Sequence, residues 1–172
     1  MSNPLRLFFA LWPDDVTRSA LARLQFDLTG QKALFRNLHV TLAFLGEQDA
    51  SLLPVLQEVL AQLDANSMQL EIDKRGHFSR NRIAWAGMQH PPAQLIQLQE
   101  NLVLALRAKQ ISFADNAIFK PHITLAREAD APPALQFPAI HWHVKHAALV
   151  QSLNTAEGLQ YDVLASKWLK KI

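Results

Sequence analysis

The same four-residue pattern, a histidine, any residue, a threonine and an apolar residue, occurs twice in this chain of 172 residues. Residues 39–42 read His-Val-Thr-Leu, and residues 122–125, 83 positions later, read His-Ile-Thr-Leu. Chance would give roughly 0.2 His-x-Thr words in a chain with this number of histidines and threonines. The repeat therefore indicates two related segments that share one task.

Both words lie in segments with the character of β-strands, namely residues 38–45, which Gly46 follows, and the run that opens at Pro121. Because side chains alternate along a strand, the histidine and threonine of each word share one face. The opposite, buried face is expected to carry Val40, Leu42, Phe44, Ile123 and Leu125. Each word thus presents an imidazole and a hydroxyl together on one side of a sheet.

Composition limits what the chain can be. Its length and its apolar content of 49% fit one domain with a sizeable core. The absence of cysteine excludes disulfides, a thiol nucleophile and a cysteine-based zinc site. A net charge of +2 is too small for a protein that coats nucleic acid with a broad basic face, so any phosphate recognition must be local.

Targeting signals are weak in this sequence. The N-terminal apolar run, residues 7–12, is shorter than the core of a signal peptide, and no segment approaches the roughly 20 apolar residues of a membrane span. We therefore expect a cytoplasmic protein that does not contact membranes. No pattern in the chain indicates an obligate protein partner.

The rest of the chain alternates between strand and helix patterns. Residues 6–12 predict a first strand, and Asp14 is suited to cap a helix that runs toward Gly30. This helix would bury a stripe made of Val16, Ala20, Leu21, Leu24 and Leu28. Further helices are predicted over 50–63 and 92–109, and further strands over 68–73, 82–88, 140–150 and 159–168, with a turn at 76–81. Since a helix precedes a His-x-Thr strand in both halves, one α+β domain, residues 1–172, with two similar lobes is expected.

Segments outside the two words add to a family likeness. They are Arg-Leu-Phe-Phe-Ala at 6–10, Trp-Ala-Gly-Met at 85–88, Phe-x-Pro before His122, and Gly158, Tyr161, Leu164 and Trp168 near the C-terminus. Together with the paired words they resemble the 2H phosphoesterases, and within them the bacterial RNA 2',3'-cyclic phosphodiesterases, also called 2'-5' RNA ligases. The likeness covers nearly the whole chain, and the two words carry most of its specificity.

The resemblance implies a bilobal, pseudo-symmetric fold in which antiparallel sheets line a central cleft and helices lie outside. It also implies that the ligands are RNA ends or nucleotides bearing a 2',3'-cyclic phosphate, which is hydrolysed to a 2'-phosphate without metal or cofactor. Reversal of the same chemistry would give 2'-5' RNA ligation.

Opening a cyclic phosphate by in-line attack of water needs a base and an acid on opposite sides of the phosphorus. Two imidazoles, with ordinary pKa values of about 6.5, can supply both at neutral pH. The resemblance assigns His39 as the general acid that protonates the 3' oxygen and His122 as the general base that activates water. The residues alone do not order these roles. Thr41 and Thr124 are expected to donate hydrogen bonds to the non-bridging oxygens.

Arg127 resembles a family arginine that contacts the phosphate, and we predict it as a substrate-binding residue. Strand alternation argues against this, since Arg127 is odd-numbered while His122 and Thr124 are even-numbered. A strand end or a bulge could return its side chain to the cleft. Lys120 is expected to be solvated.

Other histidines and aromatic residues offer weaker signals. His141 and His143 form a pair that could ligate zinc with a third group, which gives a zinc hydrolase as one alternative. The remaining histidines, expected to be structural or at the surface, are His77, His90 and His146. Phe44 is expected in the core, whereas the candidates for stacking on a nucleobase are Phe9, Phe78 and Phe119.

A second alternative is a module that only binds RNA ends, with incidental turnover. Intact copies of both words favour an enzyme, because binding alone does not need two titrating groups. The sequence leaves open whether the substrate is a tRNA half, an oligonucleotide, a mononucleotide or another small cyclic phosphate.

Overall fold

The structure is a computed structural model that describes residues 3–115 and 118–171. Its strands are β1 (Leu5–Leu11), β2 (Gln31–Lys32), β3 (Val40–Gln48), β4 (Met68–Ile72), β5 (Lys74–Phe78), β6 (Ile83–Gly87), β7 (His122–Arg127), β8 (Ile140–Val144), β9 (His146–Thr155) and β10 (Gly158–Trp168). Its helices are α1 (Asp15–Ala22), α2 (Leu53–Gln62) and α3 (Ala93–Ala108). Every described helix is too short or too polar to span a bilayer.

One large sheet places the two His-x-Thr strands side by side. Its order is β10-β9-β1-β3-β7-β6-β5, with β2 paired to β7, and these neighbours run antiparallel. A second, two-stranded antiparallel sheet joins β4 to β8. This confirms the expected α+β class with antiparallel sheets.

The two faces of the large sheet carry different side chains. The main core lies on the helix-covered face, where Leu21, Leu56 and Leu95 of the three helices pack with Leu7 and Val40 of the strands. The opposite face carries a smaller apolar cluster, which consists of Phe8, Ala10, Ala148 and Val150, with Trp12, Phe44 and Tyr161 packed against it. We call this second face the cleft face.

The first helix begins as predicted but ends earlier. Asp14 caps it, because its carboxylate accepts a hydrogen bond of 2.8 Å from the backbone N–H of Thr17. The α-helix ends at Ala22, and a 3-10 turn, Arg23–Gln25, follows it. The buried face of the helix carries Thr17, Arg18 and Leu21, so the prediction that Val16 faces inward is wrong, since 81% of Val16 is exposed.

The turn predicted within 76–81 is confirmed, because the chain turns at residues 79–82, after β5. Gly76 itself lies inside β5 and faces Trp85 of β6 so closely that a Cβ there would meet the indole at 2.2 Å. One predicted strand is wrong. Residues 140–150 form two strands instead of one, because the chain breaks at Lys145 and changes sheets. The partner of β4 is therefore β8, which is distant in sequence, and not the nearby β6.

Candidate active site

The two words meet through a single described pair of residues in neighbouring strands, Val40 with Ile123. Both are fully buried on the core face. Continuing this antiparallel register sets His39 across from Thr124 and Thr41 across from His122, all four on the cleft face. Each histidine therefore lies beside the other word's threonine, and the two histidines are diagonal neighbours, about 7–8 Å apart at their backbones.

His39 lies just before β3, in an aromatic enclosure that the sequence did not reveal. Its ring centroid is 5.0 Å from that of Phe8, 5.7 Å from that of Trp12 and 5.2 Å from that of Tyr161. Trp12 stacks on the imidazole, while Tyr161 meets it edge-on. This enclosure removes water from one side of the ring and fixes its plane.

His122 begins β7 and is more open. The ring of Phe78 meets it edge-on, with the centroids 4.9 Å apart. A cavity of about 560 Å³ opens beside it and is lined by residues that include Thr41, Phe44, Phe119 and Lys120. Two of the three predicted stacking candidates, Phe78 and Phe119, therefore lie next to this histidine.

The same backbone contact fixes the tautomer of both histidines. Nδ1 of His39 lies 2.6 Å from the carbonyl oxygen of Asn37, and Nδ1 of His122 lies 2.7 Å from that of Lys120. A carbonyl oxygen only accepts, so each Nδ1 carries a proton and donates it. Nε2 is then the atom of each ring that gains or loses a proton, and Nε2 of His39 lies 2.9 Å from the hydroxyl of Thr41.

Burial lowers the pKa of both histidines. Desolvation is the main cause for His39, whose pKa falls to about 4, and the charges of Arg127, of Arg18 and of His122 when it is protonated lower it further. Desolvation followed by the charge of Arg127 also lowers the pKa of His122. Both rings are therefore neutral at neutral pH in the free protein, and an anion between them would raise both values.

A β-bulge brings Arg127 back toward the cleft. Thr124 pairs with Trp85 and Ala126 pairs with Ala84, so Leu125 is the extra residue. The carbonyl oxygen of Leu125 accepts hydrogen bonds from Gln25 Nε2 at 2.8 Å and from the backbone N–H of Ala33 at 2.8 Å. The bulge reverses the alternation, and Arg127 lines one cavity of about 230 Å³ with His39 and Thr124. The alternation argument against Arg127 therefore does not hold.

The first word carries a matching bulge. Thr41 pairs with Ala10 and Ala43 pairs with Phe9, so Leu42 is the extra residue, and its carbonyl oxygen lies 3.4 Å from Gln99 Nε2. Phe44 is thereby turned to the cleft face, where it packs beside Phe8 and lines the cavity next to His122. The prediction that Phe44 belongs to the core face of Val40 is wrong for this reason.

Two other sequence-based interpretations change. Phe9 is fully buried in the main core, so the prediction that it could stack on a nucleobase is wrong. β3 does not end at Gly46, because this glycine adopts a φ of 67° within the strand and the strand continues to Gln48. A second register shift lies next to this glycine.

The remaining histidines lie away from the two words. His141 and His143 are exposed on the two-stranded sheet, and among residues 3–115 and 118–171 no three His, Cys, Asp or Glu side chains are grouped to hold a metal ion. His77 Nε2 contacts the carbonyl oxygen of Ala129 at 2.9 Å, and His146 stacks on Trp168.

The site thus combines a repeated sequence word, a shared strand register and two matching bulges. The family model of the 2'-5' RNA ligase superfamily matches residues 12–156. The chain belongs to this superfamily. The sequence-based assignment, which named these enzymes among the 2H phosphoesterases, is confirmed.

Relatives within the superfamily match over most of the chain. An RNA 2',3'-cyclic phosphodiesterase of Escherichia coli (strain K12) is 34% identical over 146 residues, which cover 83% of this chain and 82% of the relative. A protein of the same description from Thermus thermophilus is 33% identical over 177 residues, covering 93% and 88%. The crystal structure of E. coli LigT complexed with 3'-AMP superposes with a TM-score of 0.82 at 32% identity, covering 97% of this chain and 99% of that one.

Proposed function

We propose that this superfamily member hydrolyses RNA or nucleotide 2',3'-cyclic phosphates to 2'-phosphates, with His39 and His122 as its acid and base and without a metal ion. One observation carries the proposal. The antiparallel register around Val40 and Ile123 sets two imidazoles and two hydroxyls on one face, each histidine beside the other word's threonine. The relatives that match most of the chain act, by their names, on the same bond.

The reaction follows from two Nε2 atoms on opposite sides of one phosphate. Nε2 of His122 takes a proton from water while the water oxygen bonds to phosphorus. The bond from phosphorus to the 3' oxygen breaks, and Nε2–H of His39 protonates that oxygen. The 2' ester stays intact, so the product is a 2'-phosphate. We take the order of the two roles from the family resemblance.

Substrate charge makes the acid role of His39 feasible. Its pKa of about 4 leaves the free ring neutral, with the Thr41 hydroxyl donating to Nε2. An anionic phosphodiester next to the ring favours its charged form and raises this pKa. Once Nε2 is protonated, Thr41 is free to turn its hydrogen bond toward a non-bridging oxygen, as Thr124 does from the other strand.

Arg127 supplies the fixed positive charge. Its guanidinium can bind two phosphate oxygens at once, a geometry that a lysine cannot match. The larger cavity beside His122 has aromatic walls from Phe44 and Phe119 that suit a nucleoside. A 5'-hydroxyl of RNA in the position of water would give 2'-5' ligation, although hydrolysis dominates in dilute solution.

The test is to incubate the protein with 2',3'-cyclic AMP and with a cyclic-phosphate-ended RNA in EDTA, and to identify the product isomer. We expect a 2'-phosphate, a rate within about twofold of that without chelator, and loss of turnover in His39→Ala and His122→Ala. A rate that EDTA abolishes and zinc restores would contradict the metal-free mechanism. Binding of RNA ends without turnover would favour the binding module instead.

A further inference from the structure

A tryptophan near the C-terminus lies largely in solvent. Trp168, the last residue of β10, is 69% exposed. One face of its indole stacks on His146, with the ring centroids 4.4 Å apart and the planes at 14°. The other face of the indole is open to a ligand, and the proposed reaction uses neither residue.

Strand register connects this pair to the active site. Leu11 pairs with Ala147 in neighbouring antiparallel strands. The next residues in this register, Trp12 and His146, therefore lie across from each other. His146 pairs in turn with Trp168 on its other side. Trp12 packs on the cleft-face cluster, and alternation from Ala148 and Val150 in that cluster sets His146 on the same face. Trp12 stacks on His39 and His146 stacks on Trp168, so the register sets two stacked pairs in one row across β1, β9 and β10.

Positive charge accompanies the exposed end of this row. At the sheet edge formed by β10, Trp168 lines a cavity of about 660 Å³ together with His143, Lys145 and Lys171 and with parts of β4 and α3. An open indole beside two lysines is complementary to a base and its phosphates, and stacking tolerates any base. With adjacent strands about 4.8 Å apart, two strand steps separate Trp12 from Trp168 by about 10 Å. A nucleotide chain that ends at the histidines can extend over this distance.

We propose that the Trp168 platform, defined as Trp168, His146, Lys145 and Lys171, binds a nucleotide of single-stranded RNA that lies 5' of the cyclic phosphate. This inference rests on the proposed function and names its substrate class. The protein acts on oligonucleotides in preference to mononucleotides. The base stacks on the open face of Trp168, and the lysines contact phosphodiester oxygens.

The first experiment measures kcat/KM for a hexaribonucleotide ended by a 2',3'-cyclic phosphate and for the matching mononucleotide. We expect the hexamer to be the better substrate, and Trp168→Ala to lower the ratio of the two values by roughly 5- to 100-fold. Trp168→Phe, which keeps an aromatic ring, should retain most of the ratio. The matched control is Phe26→Ala, because Phe26 is 68% exposed and follows the 3-10 turn after α1. An unchanged ratio in Trp168→Ala would overturn the proposal.

The second experiment does not depend on turnover. Fluorescence anisotropy of a labelled hexaribonucleotide with a 2'-phosphate end gives an affinity at several salt concentrations. Trp168→Ala should weaken binding by the same factor, and Lys145→Gln with Lys171→Gln should reduce the salt slope by up to about 1.4. If the wild type hydrolyses no cyclic phosphate but these shifts occur, the proposed function fails and the platform stands. If none of these variants changes the affinity or the salt slope, the Trp168 platform is refuted.

Discussion

Val40 pairs with Ile123 at the junction of β3 and β7, and the two residues turn their side chains into the core. Because the strands are antiparallel, one pair fixes the positions of the residues on either side of it. A strand slip of one residue would turn the histidine and threonine of one word away from those of the other. The geometry of the proposed site thus depends on how these two apolar side chains pack.

Removing either histidine should cost much more than removing either threonine. His39→Ala or His122→Ala deletes an acid or a base, so we expect kcat to fall by roughly 10² to 10⁴. Thr41→Ala or Thr124→Ala removes one hydrogen bond, which should raise the barrier by about 1 to 3 kcal/mol. Steady-state kinetics on a 2',3'-cyclic nucleotide measure both effects. Near-wild-type turnover in both histidine variants would eliminate the acid/base mechanism.

A modified substrate can separate the two roles. When the leaving group departs without protonation, the variant that lacks the acid should recover most of its rate, and the variant that lacks the base should not. We expect recovery in His39→Ala and none in His122→Ala. Recovery in His122→Ala instead would reverse the assignment.

The pH profile of kcat/KM should lie at lower pH than the profile expected for two exposed histidines. Desolvation lowers the pKa of His39 to about 4 and also lowers the pKa of His122. The pH dependence of kcat/KM reports the pKa values of the free protein. Both limbs of its bell should therefore lie below pH 6.5. In the complex the phosphate raises both pKa values, so the profile of kcat should shift toward higher pH. Limbs of kcat/KM above pH 6.5 would contradict the burial of the two rings.

Stability gives an independent check on the same burial. The fold keeps His39 neutral down to a pKa of about 4, whereas an unfolded histidine titrates near 6.5. Between these values the unfolded chain binds more protons, so this contribution to stability is complete above pH 6.5 and decreases as the pH falls toward 4. Thermal melts should show a smaller decrease in His39→Gln, which cannot titrate.

Local signals in the sequence predicted a large part of the fold. Both words lie at or in strands, Asp14 caps α1, and α2 and α3 lie within their predicted ranges. Each of these depends on residues that are close in the chain. The division into two similar lobes stays a prediction, supported by the matching bulges and by the identical Nδ1 contacts of His39 and His122.

The features that sequence reasoning missed depend on distant residues. Gln25 satisfies the carbonyl of Leu125 from 100 positions away, and the bulge that it supports decides where Arg127 points. Tyr161 encloses His39 because β9 pairs with both β10 and β1, and its pairing with β1 joins segments that are distant in the chain. Alternation alone misplaced Phe44 for the same reason, since a bulge resets the parity.

Arg127 should affect both substrate binding and the histidine titrations. Arg127→Ala removes a charge-assisted contact, so we expect kcat/KM to fall roughly 10- to 100-fold. It also removes a positive charge that lowers the pKa of His39 and His122, so both limbs of the pH profile should move to higher pH. Arg127→Lys keeps the positive charge but not the two-pronged contact, so it should restore the pH positions of the limbs more fully than it restores kcat/KM. A rate loss without any shift of the limbs would show that Arg127 lies further from the rings than the structure has it.

The bulge at Leu125 can be tested through Gln25, which is buried and lines neither the cavity beside His122 nor the cavity that contains Arg127. Its Nε2 donates to the carbonyls of Ala33 and Leu125 at 2.9 and 2.8 Å. Gln25→Leu leaves these buried oxygens with fewer donors, so the free energy of unfolding should fall by about 1 to 3 kcal/mol. The substrate KM should rise as well, because Arg127 loses its support.

Gln99 provides the control for stability and for the pH limbs, since it faces the equivalent carbonyl of Leu42 but at a longer distance of 3.4 Å. It is no control for KM, because it lines the cavity beside His122. A long hydrogen bond contributes less, so Gln99→Leu should destabilise the protein less than Gln25→Leu does. It should also leave the pH limbs unchanged, whereas Gln25→Leu should shift them in the direction of Arg127→Ala. Equal losses of stability in the two variants, with no shift of the limbs in either, would mean that the Leu125 bulge does not determine the position of Arg127.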